Sequence, residues 1–259
     1  MDCKIISGYR VGFLHFSSVD STNLVAKRES ERLFDGKYCP DVLVVSADVQ
    51  TSGRGQRGSV WHSSCGENVL LSIVVRPLSL SASESYTLSV VAALASNAVV
   101  SSYGVDSLVK WPNDLYCDGK KLAGILSEVD FSGSSVTRAV VGIGLNVNQK
   151  QFCEMSRNPV SLSLLAGRDF DCAEVRHRLV EEFLHYYAMM EQGAVDELFA
   201  LYERLLMGRS TKMLFRDSQG KFEATVDSVH RDGRLQLRRE DGTLSCYSFK
   251  EVESVIHGY

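Results

Sequence analysis

Apolar and polar positions change period repeatedly along this 259-residue chain, and each change marks an element. Residues 11–16 predict a strand, and Asp20-Ser21-Thr22-Asn23 then opens a short helix reaching about residue 33. The run 41–47 is apolar almost without interruption, as in a strand covered on both faces. From 48 to 68 the periodicity vanishes and three glycines fall within six residues. A loop this long inside a compact domain is either functional or a wrong assignment. A strand resumes over 69–75. Residues 83–102 carry Leu88, Val91, Ala92, Ala95, Ala98 and Val99 at helical spacing. Asp118-Gly119 signals a hairpin between strands at 108–117 and 120–129, and 137–145 predicts a further apolar strand. Asp171, with Glu174 three residues on, opens a helix over 173–192 in the manner of a capping box. Its expected buried stripe is Val175, Leu179, Phe183, Tyr186 and Met190. A shorter helix, 195–206, is followed by Gly208, a C-capping residue type.

Beyond Gly208 the period drops to two. Four short strand-like runs are separated by Asp217-Ser218-Gln219-Gly220, Arg231-Asp232-Gly233-Arg234 and Glu240-Asp241-Gly242-Thr243. Turns at that interval predict a small β-barrel. Two domains follow, 1–207 and 208–259.

Charge and cysteine usage narrow the class. A net charge of −4 and a pI near 5.9 argue against general electrostatic binding to nucleic acid. The chain opens with no basic segment leading into an apolar run, so secretion is not expected. The apolar segment 90–100 contains Ser96 and Asn97 and is too short to span a bilayer, so no membrane partner is expected. Seven cysteines, scattered and never in C-x-x-C, speak against a disulfide framework or a zinc site and fit a reducing cytoplasm. The six histidines show no ligand spacing.

Candidate chemistry sits in short patches. Gly53-Arg54-Gly55-Gln56-Arg57-Gly58 matches G-x-G-x-x-G, but a dinucleotide fingerprint needs a helix directly afterwards. Ser59-Val60-Trp61-His62-Ser63-Ser64 is no helix. The same loop, with His230-Arg231-Asp232, imitates two kinase motifs. Leu237 stands where the catalytic-loop Asn is required, no D-F-G follows, and the H-R-D falls in an expected hairpin turn. What remains is a cationic glycine loop whose backbone can approach a ligand closely. Arg54 and Arg57 can bind phosphate or carboxylate bidentately. From the residues alone it is either that or an ordinary surface loop.

Ser21-Thr22-Asn23 are favoured helix N-caps and also hydrogen-bonding groups for a small polar ligand. Lys110-Trp111-Pro112-Asn113-Asp114 combines a cation with oxygen ligands suited to Mg²⁺ and phosphate; as a turn it would need no ligand. Lys121, entering an apolar strand in Gly119-Lys120-Lys121-Leu122-Ala123-Gly124, needs a partner for its charge. Gly142-Ile143-Gly144-Leu145-Asn146 ends a buried strand. Its Asn146 either reaches a nucleotide or caps that strand.

In this order, Ser-Thr-Asn, Gln50-Thr51-Ser52-Gly53-Arg54-Gly55, Lys-Trp-Pro-Asn-Asp, Lys-Leu-Ala-Gly and Gly-x-Gly-x-Asn resemble the biotin–protein ligase family across essentially the whole chain. The resemblance implies an α+β catalytic domain, a mixed sheet flanked by helices as in class II aminoacyl-tRNA synthetases. It also implies an SH3-like C-terminal β-barrel. By the same resemblance the activity is ATP- and Mg²⁺-dependent formation of biotinyl-5′-AMP, followed by transfer to a lysine of a biotin carboxyl carrier domain of a carboxylase. Lys121 and Arg54 are then catalytic. Ser21, Thr22, Asn23, Gln50, Gly53, Arg54, Gly55, Gln56, Lys121, Gly142 and Gly144 bind biotin. Arg57, Trp61, Lys110, Asn113 and Asn146 face ATP, and Asp114 holds the metal. Ser21 falls too early to leave room for the DNA-binding domain of the family's repressor members, so a ligase alone is expected. Gln56 stands where many bacterial members carry Arg; one cation fewer should hold the adenylate less firmly. Lipoate–protein ligase is the nearest alternative, and a non-catalytic biotin sensor is another.

Overall fold

A computed structural model describes residues 1–34, 39–153 and 158–255. In chain order the elements are β1 (Asp2–Ile6), β2 (Tyr9–Val19), α1 (Thr22–Leu33), β3 (Val42–Gln50), β4 (Asn68–Val75), α2 (Thr87–Ser102), β5 (Leu108–Lys110), β6 (Asp114–Cys117), β7 (Lys120–Ser132), β8 (Ser135–Asn146), α3 (Leu162–Ala166), α4 (Cys172–Glu191), α5 (Val195–Arg204), and then β9 (Met213–Asp217), β10 (Gly220–Val229), β11 (Leu235–Arg238), β12 (Leu244–Tyr247) and β13 (Glu253–Ser254). Eight strands form one mixed sheet in the order β1-β2-β3-β4-β8-β7-β6-β5. Only β2 and β3 run parallel, joined through α1.

The inner strands explain the long apolar runs. In β3, Val42 and Val44 join the large core with α2 and α4, whereas Leu43 and Val45 join the smaller core under α1. Every residue of β4 is buried. Segment Ala82–Ser102 is apolar and long enough to cross a membrane, yet two thirds of it is buried within the protein. Its hydrophobicity is thus accounted for by contacts with the sheet, α4 and α5.

Several boundaries differ from the sequence reading for local reasons. The predicted strand 108–117 is broken at Trp111-Pro112-Asn113 into β5 and β6, which pair with each other; the Trp111–Pro112 peptide is cis. Asp118 and Gly119 both have positive φ, at 49° and 73°, as a tight hairpin turn requires. Helix α2 begins at Thr87 instead of 83, because 82–84 form a separate 3₁₀ turn. On α4, Tyr187 is buried and Tyr186 only half-buried. Asp171 caps α4 by accepting from the Ala173 N–H at 2.7 Å. Gly208 does not cap α5, which closes at Leu205. It instead takes φ +84° under Met213, whose Sδ lies 2.6 Å from where a Cβ would sit.

Strands β9 to β13 make a second antiparallel sheet, ordered β12-β11-β10-β9-β13, the SH3-like module expected for the tail. A bulge between Val226 and Ser228 shifts the alternation, so that Val229 closes the core.

Helix α1 is tied to the sheet by charge through Arg138. Arg138 on β8 faces Asp130 on β7, its Nε 2.7 Å from Asp130 Oδ2. It also reaches Ser30 Oγ at 3.1 Å and Glu31 on α1. Burial alone would raise the Asp130 carboxyl, but the Arg138 hydrogen bond and charge, with Lys27, outweigh it and hold it below the usual range. Asp130 is 39% exposed, so screening keeps the gain modest. Arg138→Ala is expected to cost about 1–2 kcal/mol in urea denaturation at neutral pH. A depressed carboxyl stabilises above its ordinary range. The difference between wild type and variant should therefore shrink as pH falls below about 4.

Candidate active site

The register of the large sheet places glycines side by side. Gly144 on β8 is opposite Gly124 on β7, with Leu70 and Asp114 completing that row. In the next row Gly142 lies between Ser72 and Leu126. Missing side chains here open a trough on the α1 face, and a cavity of about 790 Å³ occupies it.

At its closed end α1 begins. Ser21, Thr22 and Asn23 are all buried. Ser21 is the N-cap by backbone geometry, yet makes no side-chain cap bond. The neighbouring side chains turn inward. Gln50 Oε1 accepts from the Thr22 N–H at 2.7 Å and its hydroxyl at 3.1 Å, which commits that oxygen. Ser72 Oγ lies 2.6 Å from Asn23 Oδ1, to which it donates, and 2.8 Å from Thr22 Oγ1. Asn23 Nδ2 donates to Glu128 Oε2 at 2.7 Å and to the Leu126 carbonyl at 3.3 Å. Thr22, Asn23 and Ser72 are buried, Gln50 is half-buried and Glu128 exposed, and their bonds fix directions in the way a small polar ligand is oriented. Ser72 and Glu128 were not anticipated. Ser72 was the readable one, a hydroxyl inside the otherwise apolar Val69-Leu70-Leu71-Ser72-Ile73-Val74.

The glycine loop forms a small antiparallel bridge, Arg54 to Val60, around a 3₁₀ turn at Gln56–Gly58. Gly55 N–H donates to Ser59 O and Trp61 N–H to Gly53 O. Gly53 is required by crowding: a Cβ there would lie 2.5 Å from the Trp61 carbonyl oxygen. The bridge sets the Trp61 indole across the trough, so that a Cβ at Gly144 would meet its Cε2 at 2.6 Å. The indole N–H is buried and has no hydrogen-bond partner among the described residues. Arg54, Gly55, Gln56 and Trp61 line the cavity, and Gly53 does not. The Arg57 side chain lies outside the described residues.

At the other end, a bulge opposite Leu115/Tyr116 changes the alternation along β7. It sends Leu122 into the core and leaves Lys121 on the same side as Gly124, whose added Cβ would lie 3.3 Å from Lys121 Nζ. Bulges re-aim side chains in this way. Lys121 Nζ sits 2.7 Å from Asp114 Oδ1 and 5.6 Å from the centre of the Trp61 ring. Lys110 lies over Tyr116 at 5.1 Å. Asn113 Nδ2 donates to the Ile125 carbonyl, and Asn146 Nδ2 to that of Val160 at 3.0 Å. Both amides thus tie a loop to a strand as well as lining the cavity. Among the described residues no three His, Cys, Asp or Glu side chains cluster as a metal site; His257 lies outside them. Seventeen residues were expected at the site. Of the sixteen whose side chains are described, the cavity brings together all but Gly53.

The mixed sheet flanked by helices, followed by a second C-terminal sheet, is the fold of the biotin protein ligases. The Aquifex aeolicus biotin protein ligase in complex with biotin and ATP superposes with a TM-score of 0.74 over 95% of this chain and 99% of that one, at 23% identity. The chain belongs to the biotin/lipoate A/B protein ligase family, which matches residues 16–146. It is 37% identical over 236 residues to the biotin–[acetyl-CoA-carboxylase] ligase of Paracoccus denitrificans, covering 86% of this chain and 92% of that protein. It is 30% identical over 238 residues to the bifunctional ligase/repressor BirA of Escherichia coli K12, covering 90% and 71%. The chain spans about 65% of the length of the Bacillus subtilis bifunctional ligase/repressor, to which it is 32% identical.

Proposed function

We propose that this protein is an ATP-dependent biotin–[acetyl-CoA-carboxylase] ligase. A biotin carboxylate oxygen attacks the α-phosphorus of ATP, the bond to the bridging oxygen breaks, and pyrophosphate leaves. The amine of a carrier-domain lysine then attacks the acyl carbon of biotinyl-5′-AMP, expelling AMP and losing a proton. The observation that carries this reading is Lys121, aimed by a bulge into a glycine-floored cavity beside Asp114. A fixed cation there offsets charge developing on the carboxylate and phosphorus. Arg54 lines the same cavity without a carboxylate partner among the described residues.

Thr22, Asn23 and Gln50, with Ser21, Gly53, Gly55, Gln56, Gly142 and Gly144, form the biotin end. Gln50 meets the ligand with its Nε2 donors, its oxygen being committed to Thr22. Trp61 covers the trough; Lys110, Asn113, Asn146 and Arg57 attend ATP. Mg²⁺ takes one or two carboxylates together with substrate phosphates, so Asp114 fits it as the protein's share. When bound, the ion neutralises phosphate charge. The catalytic domain comprises residues 1–207 and the SH3-like domain 208–259. The seven free cysteines suit a reducing cytoplasm.

Incubated with ATP, Mg²⁺ and biotin, the protein should add one biotinyl group to an apo biotin carboxyl carrier domain, seen by mass spectrometry. An unmodified carrier would refute the transfer step. Gln56→Arg adds a cation to the glycine loop at the cavity and is expected to slow release of preformed biotinyl-5′-AMP in a filter assay. An unchanged off-rate would show that Gln56 does not govern retention.

A further inference from the structure

The His230-Arg231-Asp232-Gly233 turn, between β10 and β11, is not idle surface. It reaches back to the Lys110–Asp114 segment at the nucleotide end of the cavity. The Trp111 indole N–H donates to the Gly233 carbonyl at 2.9 Å, across 122 residues of sequence. Phe249, from the same C-terminal module, stacks on the Trp111 ring at 5.2 Å. The turn itself is pinned twice. Arg231 pairs with Glu84 at 2.7 Å and with Asp196 at the start of α5. Gly233, at φ +87°, presses on Tyr86, whose Cδ2 would lie 2.8 Å from an added Cβ.

Tyr86 continues the chain of contacts. Its hydroxyl donates to the Pro112 carbonyl at 2.8 Å and lies 2.6 Å from the Tyr202 hydroxyl. Burial holds both phenols far above their ordinary range, so they remain donors throughout the working pH range. Trp111 and Pro112 are therefore gripped from two sides. Lys110 precedes them and Asn113 and Asp114 follow, and all three line the cavity.

We infer that the 230–233 turn of the C-terminal module, acting through Trp111, is a positioning device for Lys110, Asn113 and Asp114 at the nucleotide end of the site. Its absence would leave the biotin end intact, because Thr22, Asn23, Gln50 and Ser72 are held by bonds among α1, β3, β4 and the 126–128 stretch of β7, none of them to the C-terminal module. This inference rests on the ligase reading above, which assigns those three residues to ATP.

Trp111→Phe keeps a ring against Phe249 and removes the N–H together with part of the bicycle. In biotin-dependent exchange of pyrophosphate into ATP, it is expected to raise the KM for ATP roughly tenfold. The Kd for biotin, measured by calorimetry without nucleotide, should stay within about twofold of wild type, as for a site with no shared partners. Arg231→Ala loosens the same turn from outside, where lost surface ion pairs cost little stability. It should raise the KM for ATP in the same direction by a smaller factor and decides the matter if Trp111→Phe does not fold. An unchanged KM for ATP, or a loss of biotin affinity equal to the change in KM, overturns the positioning role. Wild-type protein without biotin-dependent exchange overturns the ligase reading and this inference together, whereas an active wild type with unshifted variants overturns only the inference.

Discussion

Lys121→Ala is expected to lower biotin-dependent pyrophosphate exchange by roughly 10²- to 10³-fold, the loss typical of removing one preorganised charge-stabilising donor. The fold should survive. Lys121 is only half-buried, and its neighbours Leu122 and Ala123 supply the buried apolar contacts of this stretch. What the variant does lose is the partner of Asp114, 2.7 Å away. That carboxylate is then free to repel the acid and phosphates it should accommodate, so the loss exceeds a missing attraction. Circular dichroism and thermal melting close to wild type, with exchange near background, is the expected pair of results. Full exchange in the variant would remove Lys121 from the chemistry.

Gly142→Ala should strike the biotin end as sharply. A Cβ at that position lies 2.3 Å from Asn23 Oδ1 and 3.0 Å from its Cγ. Asn23 has no room to yield, because Ser72, Glu128 and the Leu126 carbonyl hold it from three directions. Either the network that fixes Thr22 and Gln50 is disturbed or β8 shifts against β4. Overpacking of this kind costs roughly 1–3 kcal/mol, or about 5- to 150-fold in biotin affinity if all of it falls on binding. Calorimetric titration with biotin measures it directly. Wild-type affinity would mean that the Asn23 network does not shape the ligand pocket.

The sequence carried the site better than it carried its mechanics. The runs 41–47 and 69–75 announced the strands beneath the cavity, since burial on both faces leaves a continuous apolar signature. The patches that line the cavity were readable because glycines, cations and amides at a strand end are costly without a purpose. The β7 bulge was not readable. It arises from how β6 and β7 pair, and it decides that Lys121, not Leu122, faces the trough. Nor was the alignment of Gly124 with Gly144, a matter of register between strands twenty residues apart. Segment 108–117 misled because Leu, Val, Leu and Tyr read as one strand, whereas the chain folds back at Trp111–Pro112 to pair with itself. His230-Arg231-Asp232 was rightly a turn, but no local pattern could place Trp111 against it.

The most direct test of the account is exchange of labelled pyrophosphate into ATP by the purified protein, with biotin, lipoate and octanoate supplied in turn. Exchange with biotin alone is the predicted result, since the reversible first step needs only acid, ATP and Mg²⁺. Exchange with lipoate or octanoate instead, or none with any acid despite tight biotin binding, would contradict it.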